Sequence, residues 1–310
     1  MNFFNIHVSV LTNEVINYLN PKPNENFIDG TFDGGGHTEV LFQKNGPNGK
    51  ILGIDADKEI LNIATSKFQK EIQEKRLILV NDNFKNLKGI IENNCPGWKE
   101  KVSGIIFDLG ISLWHLEESG RGFSFKKNEN LDMRYDISKE QRGEGKELTA
   151  KEIVNTWSEE EIEKILREYG EERYSRKIAG EIIGERKKKA ILTTFDLINI
   201  VRKAVPRYYK KGYIHPATRT FQALRIAVNR ELENLKEVLP QSIEILKPKG
   251  KLIVVSFHSL EDRIVKFFFK KETQNNRIKI LTKKPVRSSD EELKFNPRAR
   301  SAKLRAAIKI

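Results

Sequence analysis

Phe27-Ile-Asp-Gly-Thr-Phe-Asp-Gly-Gly-Gly-His37 and Ile51-Leu-Gly-Ile-Asp55 decide how this chain folds. An apolar run ends at Asp29, a glycine loop follows, and a second apolar run ends at Asp55. About twenty residues separate Gly34 from Asp55, enough for one crossover helix, so the segment reads as the first half of a nucleotide-binding βαβ unit. Successive glycines let backbone N–H groups approach a ligand closely. Asp55, at the tip of the second strand, sits where a ribose diol can be held by two hydrogen bonds.

The ligand class follows by comparison of motifs. The dinucleotide fingerprint G-x-G-x-x-G is met at Gly34 and Gly36, but Glu39 takes its third place. Gly46-Pro-Asn-Gly-Lys50 is only superficially a P-loop, because Ile51 follows the lysine; it reads as a turn. What remains is an acidic residue beside a glycine turn and a carboxylate one strand later. That is the pattern of S-adenosylmethionine binding, against the bland alternative of a tight turn.

Composition sets the surroundings. Of 310 residues, 56 are Lys or Arg and 43 are Asp or Glu, a net charge of +13. The excess points to a polyanionic partner, of which nucleic acid is the commonest. A single cysteine, Cys95, excludes an internal disulfide and fits a reducing cytosol. No apolar run approaches the ~20 residues that span a bilayer, and no signal peptide is visible. A cytoplasmic protein with no membrane partner is expected. The histidines and the cysteine show no zinc-ligand spacing, so no metal is expected.

Strands are expected at 26–29, 51–55, 77–80 and 104–109, with helices at 12–19, 37–45 and 58–70. This βαβ order predicts a parallel sheet. Residues 119–145 read as a long functional loop, and 148–204 as purely helical, with a capping box at Ser158-Glu-Glu-Glu161 and a cap at Thr194. A long helix over 216–238, a strand at 251–257 and final strands at 277–282 and 303–310 complete the pattern. The expected fold class is α/β: a Rossmann-like sheet domain, 1–112 and 213–310, interrupted by a loop plus helical insertion, 113–212.

Asp29, Asp55, Asp82 and Asp108 all fall at carboxyl ends of strands, where open α/β sheets bind ligands. Phe84 suits stacking on an adenine or ordinary core packing. Arg121-Gly-Phe-Ser-Phe125 and Leu131-Asp-Met-Arg134 interleave basic and aromatic residues in a flexible loop, which suits unpaired bases and phosphates. On the helix from Pro216, Thr218, Gln222, Arg225 and Asn229 share a polar stripe opposite Phe221, Leu224, Val228 and Leu232. His258, in Ser256-Phe-His-Ser-Leu-Glu-Asp-Arg263, lies at a strand tip. Basic patches at Arg186-Lys-Lys-Lys189, Arg207–Lys211 and along the tail from Arg277 suit phosphate tracking.

Taken in order, these motifs resemble the RsmH (MraW) family of bacterial ribosomal RNA small-subunit methyltransferases. The resemblance runs from His7-Val-Ser-Val-Leu11 through Asp29-Gly-Thr-Phe32, Gly34–His37, Gly53-Ile-Asp55 and Asp108-Leu-Gly110. Gly170-Glu-Glu-Arg173, His215-Pro-Ala-Thr-Arg-Thr-Phe-Gln-Ala223, Ser256–Arg263 and Asn296-Pro-Arg-Ala-Arg-Ser301 extend it. It implies methyl transfer from S-adenosylmethionine to the N4 amine of a cytidine in the decoding region of 16S rRNA. The RNA would be met in the small subunit or a late assembly intermediate; a homodimer is left open. It implies cofactor contacts at Gly34, Gly35, Gly36, His37, Asp55, Phe84 and Asp108. The family usually reads Asp-Leu-Gly-Val-Ser-Ser-Pro-Gln where this chain has Asp108-Leu-Gly-Ile-Ser-Leu-Trp-His115, so His115 stands in the place of a cofactor-contacting Gln. Catalytic candidates are Asp108, Ser112 and His258; substrate candidates are Arg134, Arg219, Gln222, Arg225 and Asn229. Two alternatives remain: a methyltransferase of another amine, or an RNA-binding assembly factor with a vestigial cofactor pocket.

Overall fold

The computed structural model describes residues 9–137, 148–210 and 215–310. His7 and Val8 of the first motif, the end of the 119–145 loop, Lys211 and the expected 212/213 boundary lie outside them. The chain forms two compact units, Met1–Ser112 with Leu232–Ile310, and Leu113–Glu231.

The first unit holds a seven-stranded sheet: β1 Asn26–Asp29, β2 Ile51–Asp55, β3 Leu77–Asn81, β4 Val102–Asp108, β5 Leu246–Ser256, β6 Ile278–Ile280 and β7 Lys303–Lys309. Their order is β3-β2-β1-β4-β5-β7-β6. The first five are parallel; β7 runs antiparallel between β5 and β6. Alternate residues of each strand feed two apolar layers. Ile28, Leu52, Ile105, Phe107 and Val254 face one layer, with Leu87, Ile90, Leu235, Leu239, Val265 and Phe269 from helices 87–94, 231–245 and 259–274. Phe27, Ile51, Ile106, Ile253 and Leu304 face the other, with Val15, Leu19, Leu41 and Leu61 from helices 12–19, 36–45 and 58–67. Burial on both faces is why the strands read as near-continuous apolar runs.

Helices fill the second unit: Ala150–Thr156, Glu159–Glu168, Ser175–Arg186, Thr194–Ala204, Arg207–Lys210 and Thr218–Asn229. The Ser158 capping box is formed, with Ser158 Oγ accepting from the Glu161 N–H and Glu161 Oε2 from the Ser158 N–H. Thr193, not Thr194, caps the next helix, because its side chain is the one that accepts from the Asp196 N–H. The expected helix over 216–238 is two helices. Arg230 takes a left-handed conformation (φ 52°), ends the first, and the second starts at Glu231. The helix Thr218–Asn229 therefore belongs to the helical unit, and the second junction falls after Glu231. The described part of the 119–145 loop is tied down. Met133 N–H donates to the Arg121 carbonyl at 2.8 Å, and Asn130 bridges Thr193.

Gly170 shows how closely these helices pack. A Cβ there would lie 2.6 Å from the Leu166 carbonyl oxygen and 2.7 Å from that of Arg219, both backbone atoms with no rotamer to escape through. Gly170→Ala should destabilise the protein by on the order of 3 kcal/mol. Urea unfolding checks this; an unchanged midpoint and slope would contradict the packing.

Candidate functional site

In the order β2-β1-β4 the chain leaves β1 toward β2 and later continues on its other side at β4. That reversal opens a crevice outside the carboxyl ends of β1 and β4, the place where doubly wound sheets bind ligands. Asp29, Asp55 and Asp108 are the last residues of β1, β2 and β4. The glycine loop leaves β1 and starts the helix Gly36–Asn45. Gly35 sits at its N-cap with φ 71°, and a Cβ there would come within 2.5 Å of Phe68 and 2.7 Å of Phe32. Only glycine meets both demands. Glu39, the residue that spoils the dinucleotide fingerprint, is exposed and pairs with Lys67 at 2.8 Å; no close helix–strand approach requires a glycine there.

Each carboxylate has a defined setting. Asp55 Oδ2 accepts the Asp33 N–H and Oδ1 the Asp57 N–H, both at 2.8 Å, so the acid fixes the loop that follows β1. Burial, with Asp33 nearby, pushes Asp55 from 3.8 up to about 8. Asp29 is fully buried and accepts from Thr38 Oγ1 at 2.9 Å. Burial raises it to about 6, opposed by His37 and the Thr38 hydrogen bond and reinforced by Asp108. Asp108 Oδ2 lies 3.3 Å from His37 Nε2, and the Asp108 N–H donates to Thr31 Oγ1 at 2.6 Å. Thr31 and Thr38 are the residues that sequence reasoning passed over; Thr31 lies inside the quoted motif and Thr38 directly after it.

A ligand has something to satisfy here. Asp29 Oδ1 and His37 Nδ1 are buried and have no hydrogen-bond partner among the described residues. Such groups are costly unless a bound molecule or water completes them. A cofactor offering hydroxyl, amino and carboxylate groups beside a helix N-terminus matches this donor and acceptor set. Phe84, in a short turn after β3, is half-buried and packs on Phe107 at 5.5 Å. Asp82 is turned into that same loop: its Oδ1 accepts from the Asn83 N–H and from Asn86 Nδ2, both at 2.7 Å. It acts as a loop staple beside the three acids that rim the crevice.

The other candidates fall into different settings. Ser112 is buried four residues beyond Asp108, and between them Gly110 (φ 132°) passes against the Phe257 ring. His258 caps the helix Ser259–Gln274. Its Nδ1 faces the Glu261 N–H at 3.5 Å, and Glu261 Oε2 accepts the Phe257 and His258 N–H groups at 2.9 and 3.3 Å. His258 Nε2 lies 3.2 Å from Glu261 Oε1, close but not aligned for a hydrogen bond. The imidazole is thus the polar half of a capping box.

In the helical unit, His115 is buried with its ring edge-on to Phe123 and Tyr135, at 5.1 and 5.0 Å. The residues expected at the substrate make hydrogen bonds within the helical unit. Arg134 forms a two-pronged pair with Asp132, and Arg225 with Glu231. Asn229 Nδ2 donates to the Met133 carbonyl while its Oδ1 accepts the Tyr135 N–H. Gln222 donates to the Tyr169 carbonyl and Arg219 to that of Glu171. Gln222, Arg225 and Asn229 of the polar stripe thus tie down the 169–171 turn, Glu231 and the 131–137 segment.

Comparison with known proteins agrees with the motifs. A protein of Heliobacterium mobile named ribosomal RNA small subunit methyltransferase H is 42% identical, covering 98% of this chain and 99% of that one. The protein of the same name from Lactobacillus johnsonii is 41% identical with the same coverage. Among solved structures, a putative rRNA-methylase from Clostridium thermocellum aligns with a TM-score of 0.47 at 14% identity, covering 98% of this chain and 99% of that one. No helix among the described residues is long and apolar enough to cross a membrane. Residues 4–310 match the MraW methylase family, and the chain belongs to it.

Proposed function

We propose that the protein transfers the methyl group of its cofactor, S-adenosylmethionine, to the N4 amine of a cytidine in the decoding region of bacterial 16S rRNA. The carboxylates Asp29, Asp55 and Asp108, set around a glycine loop at the sheet's reversal point, carry the reading. Relatives named as small-subunit rRNA methyltransferases over nearly their whole length support the substrate class, and a net charge of +13 suits RNA.

S-adenosylmethionine supplies an electrophilic methyl on a sulfonium. Asp55 is placed to accept ribose hydroxyls, while Gly36 and the first turn of the helix offer N–H groups to a carboxylate. His37, through Nδ1, and Asp29, through Oδ1, complete the polar lining. The cytosine N4 is a poor nucleophile because its lone pair is delocalised into the ring. The site must therefore orient the amine and accept its hydrogens. Asp108 and Ser112 are the acceptors in this account. Thr31 and His37 fix Asp108 in place, and its burial strengthens any hydrogen bond it accepts. His258 works by holding the turn after β5. The target base must be unpaired or flipped to arrive.

Three outcomes follow. Incubated with labelled S-adenosylmethionine and small subunits lacking this modification, the protein should place label in N4-methylcytidine, read by nucleoside mass spectrometry. Label on another atom would overturn the substrate and keep the enzyme class. Replacing His258 tests its capping role. His258→Ala should cost about 1 kcal/mol of stability, whereas His258→Asn, which keeps a capping acceptor, should stay close to wild type in stability and single-turnover rate. A fully stable Asn variant slowed a hundredfold would return the imidazole to the chemistry.

The third concerns pH. Asp55 titrates near 8 without ligand, and hydroxyls donated to it favour the ionised form. Binding then expels a proton below that pH, so affinity for S-adenosylhomocysteine should rise with pH up to about 8 and level off above it. The gain is at most about tenfold per pH unit. Calorimetry in buffers of different ionisation enthalpy reads the proton; affinity independent of pH between 6 and 8 would contradict it.

A further inference from the structure

Residues 283–302 lead into β7 at the carboxyl end of β5, the edge that also carries Asp108. Asp108 pairs with Val255, Val255 with Leu304, and Leu304 bridges to Val286. The segment is anchored by small contacts. Ala299 and Ala302 are buried in the apolar layer, with Val286 and Leu293 packed on it. Ser288 Oγ donates to the Ala299 carbonyl at 2.8 Å, and Glu292 Oε1 accepts the Leu11 N–H at 2.7 Å. Ser9, two residues before Leu11, lies against Gly36 of the cofactor loop.

What this anchoring leaves outside is unusual. Lys283, Lys284, Arg287, Lys294 and Arg300 are exposed, and none of their side chains makes a hydrogen bond or ion pair with any described residue. Among them Phe295 is 89% exposed. The exposed acids of the segment, Asp290 and Glu291, sit in the first turn of the helix Asp290–Phe295, where they complement its free N–H groups. A folded chain gains nothing from holding a phenyl ring in water among unpaired cations. A single-stranded polyanion with stacking bases gains from both. A protein partner would call instead for an apolar centre to the patch.

We propose that the segment 283–300 is a docking surface for single-stranded RNA flanking the methylated nucleotide, its cations tracking phosphates and Phe295 stacking on an unpaired base. That the RNA is the enzyme's own substrate rests on the function proposed above. The test uses the full chain, with Arg287→Gln, Lys294→Gln and Arg300→Gln combined, and Phe295→Ala separately. Affinity for a labelled single-stranded oligoribonucleotide is read by anisotropy across a salt series, beside affinity for S-adenosylhomocysteine and the unfolding midpoint. The triple variant should lower the slope of log affinity against log salt by about 2. Phe295→Ala should weaken RNA binding about tenfold. Cofactor affinity and folding should not move. RNA affinity and salt slope equal to wild type in both variants would overturn the surface, and methylation of small subunits would then leave the proposed function intact. RNA binding lost in the variants, with no subunit methylated by the wild type, would leave the surface standing and sink the function instead.

Discussion

Holding carboxylates together away from water is the constraint on which this structure turns. Burial disfavours ionisation of the acids at the ends of β1 and β2, and nearby carboxylates add to it, Asp108 at Asp29 and Asp33 and Asp57 at Asp55. The raised values of Asp29 and Asp55 record that tension. For folding the sign is unfavourable. An acid whose value is raised in the folded chain binds protons more tightly there than when unfolded, so it weakens the fold as pH climbs from about 4 toward 8. Chain elements nearby share the burden: N–H groups of Asp33 and Asp57 on Asp55, Thr38 on Asp29, and His37 on Asp108. A bound ligand with hydroxyl and amino donors relieves what is left. An edge that is costly when empty is the arrangement that makes binding there favourable.

The helical unit uses its charges differently. Arg134 and Arg225 each face a carboxylate in two-pronged geometry, and Arg121 reaches the carbonyls of Arg134 and Tyr135. Such pairs fix the path of an irregular segment by direction as much as by energy. Glu172 does the same for the 172–175 turn, accepting from the Tyr209 hydroxyl and the Tyr174 N–H. The unit's buried polar groups are thus ties between helices and loops, while Lys187 and Lys189 lie exposed at its surface.

How far the sequence shows all this depends on the kind of signal. Strands buried on both faces announce themselves by composition, and β1, β2 and the order of the acids are readable directly. The glycine loop is readable because Gly35 answers a steric demand that no other residue meets. The break at Arg230 is not, because an arginine in a left-handed conformation leaves no local mark. Periodicity tells that Gln222, Arg225 and Asn229 share a face, but not what that face meets; a seam and an RNA-facing stripe look alike. His258 and Glu261 have capping-box spacing, yet histidine is not a usual capping residue, so the cap is not legible from spacing alone. His115 marks the limit from the other side: its position after β4 is visible, but its ring is packed among Trp114, Phe123 and Tyr135 by loop geometry that no spacing encodes.

The most direct test of the central claim is a crystal structure of the full chain with S-adenosylhomocysteine. The ligand should lie across the carboxyl ends of β1 and β4, its ribose hydroxyls within hydrogen-bond distance of Asp55 and a polar group of the ligand on Asp29 Oδ1 or His37 Nδ1. A ligand bound elsewhere, or bound without touching those acids, would contradict the claim that the acidic edge exists to hold the cofactor.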